Sequence, residues 1–116
     1  MDSFSKSRID KFFGKIIKEY RLKSGITQEN LAEELGISIK YVSRMENGNS
    51  GIKRQTLINC MNILGISPNI IFSEFMTNED VVNKIEISHK LEKLSIKQLN
   101  FVNGIIELIT NYEENM

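Results

Sequence analysis

Few residues in this chain could do chemistry, and their scarcity narrows the possibilities. Among 116 residues there is one His (His89), one Cys (Cys60) and no Trp. A single Cys cannot close an internal disulfide, and one Cys with one His cannot complete a structural zinc site. No Ser/His/Asp or Cys/His set, glycine-rich phosphate loop or inward carboxylate pair emerges, which argues against an enzyme and against any cofactor. Cys60 falls on the apolar stripe of its helix and reads as a small core residue, while His89 reads as a solitary surface group. What the chain has in quantity is charge. Fifteen Lys and Arg balance 15 Asp and Glu, for a net charge of zero. That balance hides an asymmetry: residues 1–56 hold 11 basic against 7 acidic residues, and residues 57–116 hold 4 against 8. A basic half and an acidic half predict two tasks, and only the first suits a phosphate backbone.

The elements that position these charges are predicted to be helices. The chain is 41% hydrophobic and 26% charged, as expected of one folded domain or a small domain with an appendage. It has a single Pro and lacks the valine-rich alternation of strands. No apolar run approaches the ~20 residues that span a bilayer, and MDSFSKSRID contains no stretch like a signal peptide. A cytoplasmic, nucleoid-associated protein with no membrane partner is the expectation.

From Asp10 to Ser24, Phe13, Ile16, Ile17 and Tyr20 recur at helical spacing, and Gly25 supplies a stop. Thr27 is an N-cap for a short helix carrying Leu31, Ala32 and Leu35, which Gly36 ends. Ser38 caps the next helix, which runs through Val42 and Met45 to Asn47. After the loop Asn47–Gly51, a stripe of Leu57, Cys60, Met61 and Leu64 marks a fourth helix. Ser67-Pro68 opens a fifth, carrying Ile70, Ile71 and Phe75. Beyond the polar run Thr77-Asn78-Glu79-Asp80, two further helices follow, the last introduced by a capping box at Ser95 to Gln98. The prediction is all-α: five short helices, then two longer ones.

The segment TQENLAEELGISIKYVSRMENG, Thr27 to Gly48, meets the demands of two helices crossing steeply around a short turn. Ala32 is small enough for close crossing, Gly36 can reach positive φ, and Val42 and Met45 plug the gap from one face. Their spacings of four, six and three satisfy the geometry together.

Residues 14 to 72 resemble the lambda-repressor-like (Xre-type) helix-turn-helix domain, through GKIIKEYRLKSGITQENLAEELGIS, YVSRMENG and LINCMNILGISPNIIF. In that family the domain is a five-helix bundle that binds operator DNA, usually as a dimer. The resemblance implies that Ser38, Ile39, Lys40, Tyr41, Ser43 and Arg44 present the recognition helix to base edges in the major groove. Arg44, then Lys40, would contact guanine, and Ile39 a thymine methyl. Thr27 and Gln28 at the start of the second helix, with Asn47, Lys53 and Arg54, would contact phosphates. Arg21 and the Glu46 of the ENG motif would pair inside the bundle, a structural role, as would Gly48 at the helix end. The family's common Pro after that motif is absent, and Gly51-Ile52 stand in its place.

Residues 8–76 are thus read as a helix-turn-helix domain and residues 77–116 as a helical dimerisation or partner-binding region. The last helix carries an apolar stripe of Leu99, Val102, Ile105, Ile106 and Ile109, widened by Phe101 and Leu108. Two such helices cannot bury much against each other alone and must pack on the N-terminal bundle or on another chain; the width of the stripe predicts a homodimer. The function expected is a sequence-specific transcriptional regulator, a repressor at an inverted-repeat operator in double-stranded DNA. The alternative is a regulator that keeps the fold but acts by binding another protein, such as an antagonist held by the C-terminal helices.

Overall fold

The computed structural model describes residues 5–114, and among these the chain is all-α, as the periodicity predicts. The helices are α1 (Lys6–Lys23), α2 (Gln28–Leu35), α3 (Ile39–Asn47), α4 (Arg54–Leu64), α5 (Pro68–Phe72), α6 (Glu79–Glu92) and α7 (Ile96–Glu114). A 3-10 turn at Ser73–Phe75 follows α5, and the chain divides into two compact units between Phe75 and Met76.

The helix starts are fixed by side-chain oxygens. Thr27 accepts from the Asn30 N–H, Ser38 from Tyr41 and Ser67 from Asn69, each satisfying a donor that the first helical turn leaves free. Asn78 does the same for α6 through the Val81 N–H. At α7 the bonds are reciprocal. The Ser95 hydroxyl accepts from the Gln98 N–H, and the Gln98 carboxamide accepts from the Ser95 N–H, at 3.2 and 2.9 Å.

Three expectations need correction. α1 starts at Lys6 rather than near Asp10, because Ser5 caps it by accepting from the Arg8 N–H. Its first turn is polar, so apolar periodicity could not reveal it. At 18 residues, α1 is also longer than the 14-residue α6, so the pattern is not five short helices and two long ones. The helix opened by Pro68 closes at Phe72, and Phe75 lies in the 3-10 turn. That tighter turn brings Phe75 edge-on to Phe12, with centroids 5.3 Å apart, while Phe72 meets Phe13 at 5.7 Å. These contacts pin the end of the first unit to α1.

The core of the first unit lies where α1 and α2 pack against α3 and α4. Ile17, Leu31, Val42, Met45, Cys60 and Ile71 are fully excluded from water. Burying each large apolar side chain contributes about 1.5–3 kcal/mol. Gly14 sets how closely α1 approaches α3. A Cβ there would collide with the Met45 carbonyl oxygen and lie 3.0 Å from that of Glu46. Gly36 makes the turn between α2 and α3 at φ +68°, a conformation that an L side chain rarely adopts.

In the second unit, no described residue from Met76 to Tyr112 is fully buried. Of the stripe expected to dimerise, Val102 is half-buried, and Leu99, Ile105, Ile106 and Ile109 are exposed. No helix among the described residues is long and apolar enough to cross a membrane.

Candidate nucleic-acid interface

α3 has two faces set by its sequence. Val42, Met45 and Glu46 are buried, at i, i+3 and i+4. Lys40, Ser43, Arg44 and Asn47 form a second stripe at i, i+3, i+4 and i+7, along which Lys40, Arg44 and Asn47 are exposed and Ser43 is half-buried. Neither Lys40 nor Arg44 makes an ion pair with a described residue, and nor do Lys53 and Arg54. The positive charge of this surface is therefore uncompensated, which is the electrostatic condition for holding a polyanion.

At the start of α3, Ser38 and Ile39 are exposed, Ile39 to 48%. The Ser38 oxygen accepts the cap bond from Tyr41, so only its hydroxyl hydrogen remains to donate outward. Tyr41 is half-buried against the core, and its hydroxyl donates to the Gly51 carbonyl at 3.2 Å. It ties the helix to the loop that follows, and its ring is less available to a base than the side chains on the exposed face.

Behind this face lies a polar junction. Arg21 of α1 donates from Nε to Glu46 Oε2 at 2.6 Å and from Nη2 to Glu46 Oε1 at 3.0 Å. Its Nη1 donates to the Ile26 carbonyl at 2.9 Å. Gln28 of α2 donates from Nε2 to Glu46 Oε1, also at 2.9 Å. One carboxylate thus joins α1, α2 and α3. Arg21 and Glu46 are only 7% and 6% exposed, and no buried side-chain N or O among the described residues lacks a hydrogen-bond partner. A buried pair satisfied this completely fixes geometry, because losing either member strands the other charge. One of the two Gln28 amide hydrogens is committed to Glu46 and the second stays available for an anion. Thr27, like Ser38, uses its oxygen as a cap and keeps its hydrogen to donate.

The third part of the surface is the loop after α3 and the start of α4. Lys53 stands at the N-cap position of α4 without a side-chain cap bond, and Arg54 is the first helical residue. Both are exposed and adjoin a shallow depression of about 940 Å³ whose other lining residues include Ile52, Gln55 and Ile58. An uncapped helix N-terminus with two cations favours negative charge. Cys60, further along α4, takes no part. Burial first, and the Glu46 carboxylate second, push its thiol up to about 11, so it stays neutral and unreactive near neutral pH.

Sequence reasoning missed three features of this site. Gly14 sets the seating of α1 on α3. A glycine inside an amphipathic helix was the available signal, since it weakens a helix unless a close approach requires it. The Gln28–Glu46 and Tyr41–Gly51 bonds join residues 18 and 10 positions apart, and no periodicity announces them.

Comparison with known proteins agrees with this geometry. Residues 17–71 match the helix-turn-helix family. No curated protein sequence matches at a significant level. Among solved structures, a Tyr-to-Phe mutant of the restriction-modification controller protein C.Esp1396I is similar, with 27% identity and a TM-score of 0.50 over 64% of this chain and 89% of that one. The wild-type controller protein matches over 74% of this chain and 99% of its own, at 24% identity and a TM-score of 0.50. A chain from the SinR protein/SinI protein complex aligns over 85% of this chain and 98% of its own, at 20% identity and a TM-score of 0.49.

Proposed function

We propose that the chain is a DNA-binding transcriptional regulator, a repressor acting at an inverted-repeat operator as a homodimer; the match of residues 17–71 to the helix-turn-helix family supports this reading. The observation that carries this reading is α3 itself. Its buried face is fixed by Val42, Met45 and the Glu46 junction, while Lys40, Ser43, Arg44 and Asn47 line the other side. A rigid helix with an uncompensated cationic stripe suits the major groove.

In this reading Arg44 and Lys40 donate to guanine O6 and N7, and Ile39 meets a thymine methyl. Ser38 and Ser43 donate to neighbouring acceptors, and Tyr41 acts chiefly by holding the helix to its loop. Thr27, Gln28, Asn47, Lys53 and Arg54 contact phosphates, which position the domain without reading sequence. The apolar residues of α7, most of them exposed, support assembly into a dimer. A two-fold dimer would present its recognition helices about 34 Å apart, one turn of duplex. The acidic balance of residues 57–116 keeps this half away from phosphates.

Selection of bound sequences from random duplexes tests the proposal. The expected product is an inverted repeat bound ~10³-fold or more tightly than random DNA at physiological salt. Arg44→Ala should relax preference at one position of each half-site by about 1–3 kcal/mol. Lys53→Ala should instead weaken all sequences alike and flatten the salt dependence by about one unit of slope. Failure to enrich any sequence would overturn the reading.

A further inference from the structure

α7 carries two apolar seams, and they differ in exposure. Leu99, Val102, Ile106 and Ile109 form one, with Leu99 37% exposed and Val102 half-buried. Phe101, Gly104, Ile105, Leu108 and Tyr112 form another at i, i+3, i+4, i+7 and i+11, rotated by about a third of a turn. On this second seam Phe101, Leu108 and Tyr112 are 71%, 70% and 68% exposed. Given the size of these side chains, the seam offers on the order of 500 Å² per copy, the size of the largest apolar patch on a typical monomer, which is often functional. Two such seams together reach about 1,000 Å², the lower bound for a specific interface.

Gly104 is the second observation. It lies mid-helix, where glycine weakens a helix relative to alanine. A Cβ built there would meet nothing within 4 Å, so no neighbour in the chain requires its absence. A glycine inside an apolar stripe does, however, let another helix backbone approach closely.

We propose that a second copy of this chain docks on this seam, α7 against α7 in antiparallel orientation. The seam is self-complementary under a two-fold axis perpendicular to the helix, as an isologous interface requires. An axis midway between Phe101 and Tyr112 sets Phe101 against the partner's Tyr112 and Ile105 against the partner's Leu108. The helix dipole selects the same direction. An antiparallel pair sets the positive N-terminal end of one α7 beside the negative C-terminal end of the next. A parallel pair would set like ends of the two dipoles together. This inference rests on the dimer reading above and names its face and direction, which differ from the Leu99–Ile109 seam.

The test uses the full chain. In sedimentation experiments the native protein should be a dimer at tens of micromolar. Leu108→Glu should weaken the dimer at least 100-fold with helical circular dichroism retained, and Ile106→Glu should weaken it far less. Mild oxidation of mixed Phe101→Cys and Tyr112→Cys proteins should yield a disulfide-linked heterodimer. Each variant alone should not cross-link, because the two positions lie about 16 Å apart along the helix, beyond disulfide reach. Native Cys60 is buried and should not compete. A dimer dissociated by Ile106→Glu but not by Leu108→Glu would overturn the choice of seam, and Phe101→Cys self-linkage would overturn the direction. A native protein that stays monomeric would overturn the dimer reading beneath both. If Leu108→Glu loses helical signal, the mixed cysteine pairing decides.

Discussion

The two units of this chain meet the same requirement, covering the apolar faces of their helices, by different means. Through Phe75 each helix finds its cover within the unit, and Ile17, Leu31, Val42, Met45, Cys60 and Ile71 are fully excluded from water. From Met76 onward no described residue is fully buried, although Ile96, Phe101, Leu108 and Tyr112 are large and apolar. The first unit also carries a buried ion pair with all its polar partners, whereas the His89–Glu92 contact within α6, at 3.6 Å, is long and half-exposed. A region that buries its own face can keep a rigid outer surface for a ligand. A region that does not is itself a surface in need of a partner. The basic and acidic halves of the sequence follow the same division closely.

The largest effect that would break this contrast concerns Glu46. Glu46→Ala strands the Arg21 guanidinium and frees Gln28, and should destabilise the first unit by about 3–5 kcal/mol in urea unfolding. Leu108→Ala in α7, truncating a mostly exposed side chain, should change the unfolding free energy of the isolated chain by less than about 0.5 kcal/mol. Comparable losses would mean that the second unit buries as much as the first.

Next in size is Gly14→Ala. The added methyl meets backbone carbonyls of Met45 and Glu46, which cannot swing aside as a side chain could, so α1 must shift from α3. A destabilisation of about 1–3 kcal/mol is expected. Gly104→Ala in α7 meets open space and should leave the isolated chain unchanged or slightly more helical, by circular dichroism. Opposite signs at two mid-helix glycines would be a direct measure of the difference between the units.

How much of this could be read from the residues depends on the range of the interaction. Helix starts at Thr27, Ser38, Ser67 and Ser95 were legible because a cap and the N–H that donates to it lie within three residues. The Ala32, Gly36, Val42 and Met45 set was legible because steep crossing of two short helices admits few residue types. The start of α1 was not, since Ser5 precedes a polar turn with no acidic residue to mark it. Nor was the sharing of Glu46 between Arg21 and Gln28, for the spacing of residues on one helix says nothing of which other helix lies across from it. The 3-10 turn at Ser73–Phe75 follows from packing of Phe75 on Phe12, a contact between residues 63 positions apart.

Alkaline pH gives a smaller and more selective probe of the first unit. The Cys60 thiol has its value raised from 9.0 to about 11, so the folded state holds the proton more tightly than the unfolded chain. The associated stability is present in full below pH 9 and is lost as the pH rises from 9 towards 11, at no more than about 1.4 kcal/mol per pH unit. Cys60→Ala should flatten that part of the stability profile. A native profile with the same slope as the variant would show that Cys60 is not excluded from water.

The smallest effect asks whether the units fold independently. Ser95→Ala removes one half of the reciprocal cap on α7, leaving the Gln98 N–H without its acceptor, and should destabilise that helix by about 1 kcal/mol. Because Cys60 lies in the first unit and is 0% exposed, the rate at which its thiol reacts under native conditions reports opening of that unit alone. If each unit depends on its own contacts, Ser95→Ala lowers the helical signal of α7 while Cys60 reacts at the native rate. Faster reaction in the variant would mean that loosening α7 opens the first unit too, and the core of that unit would then owe part of its stability to residues beyond Phe75.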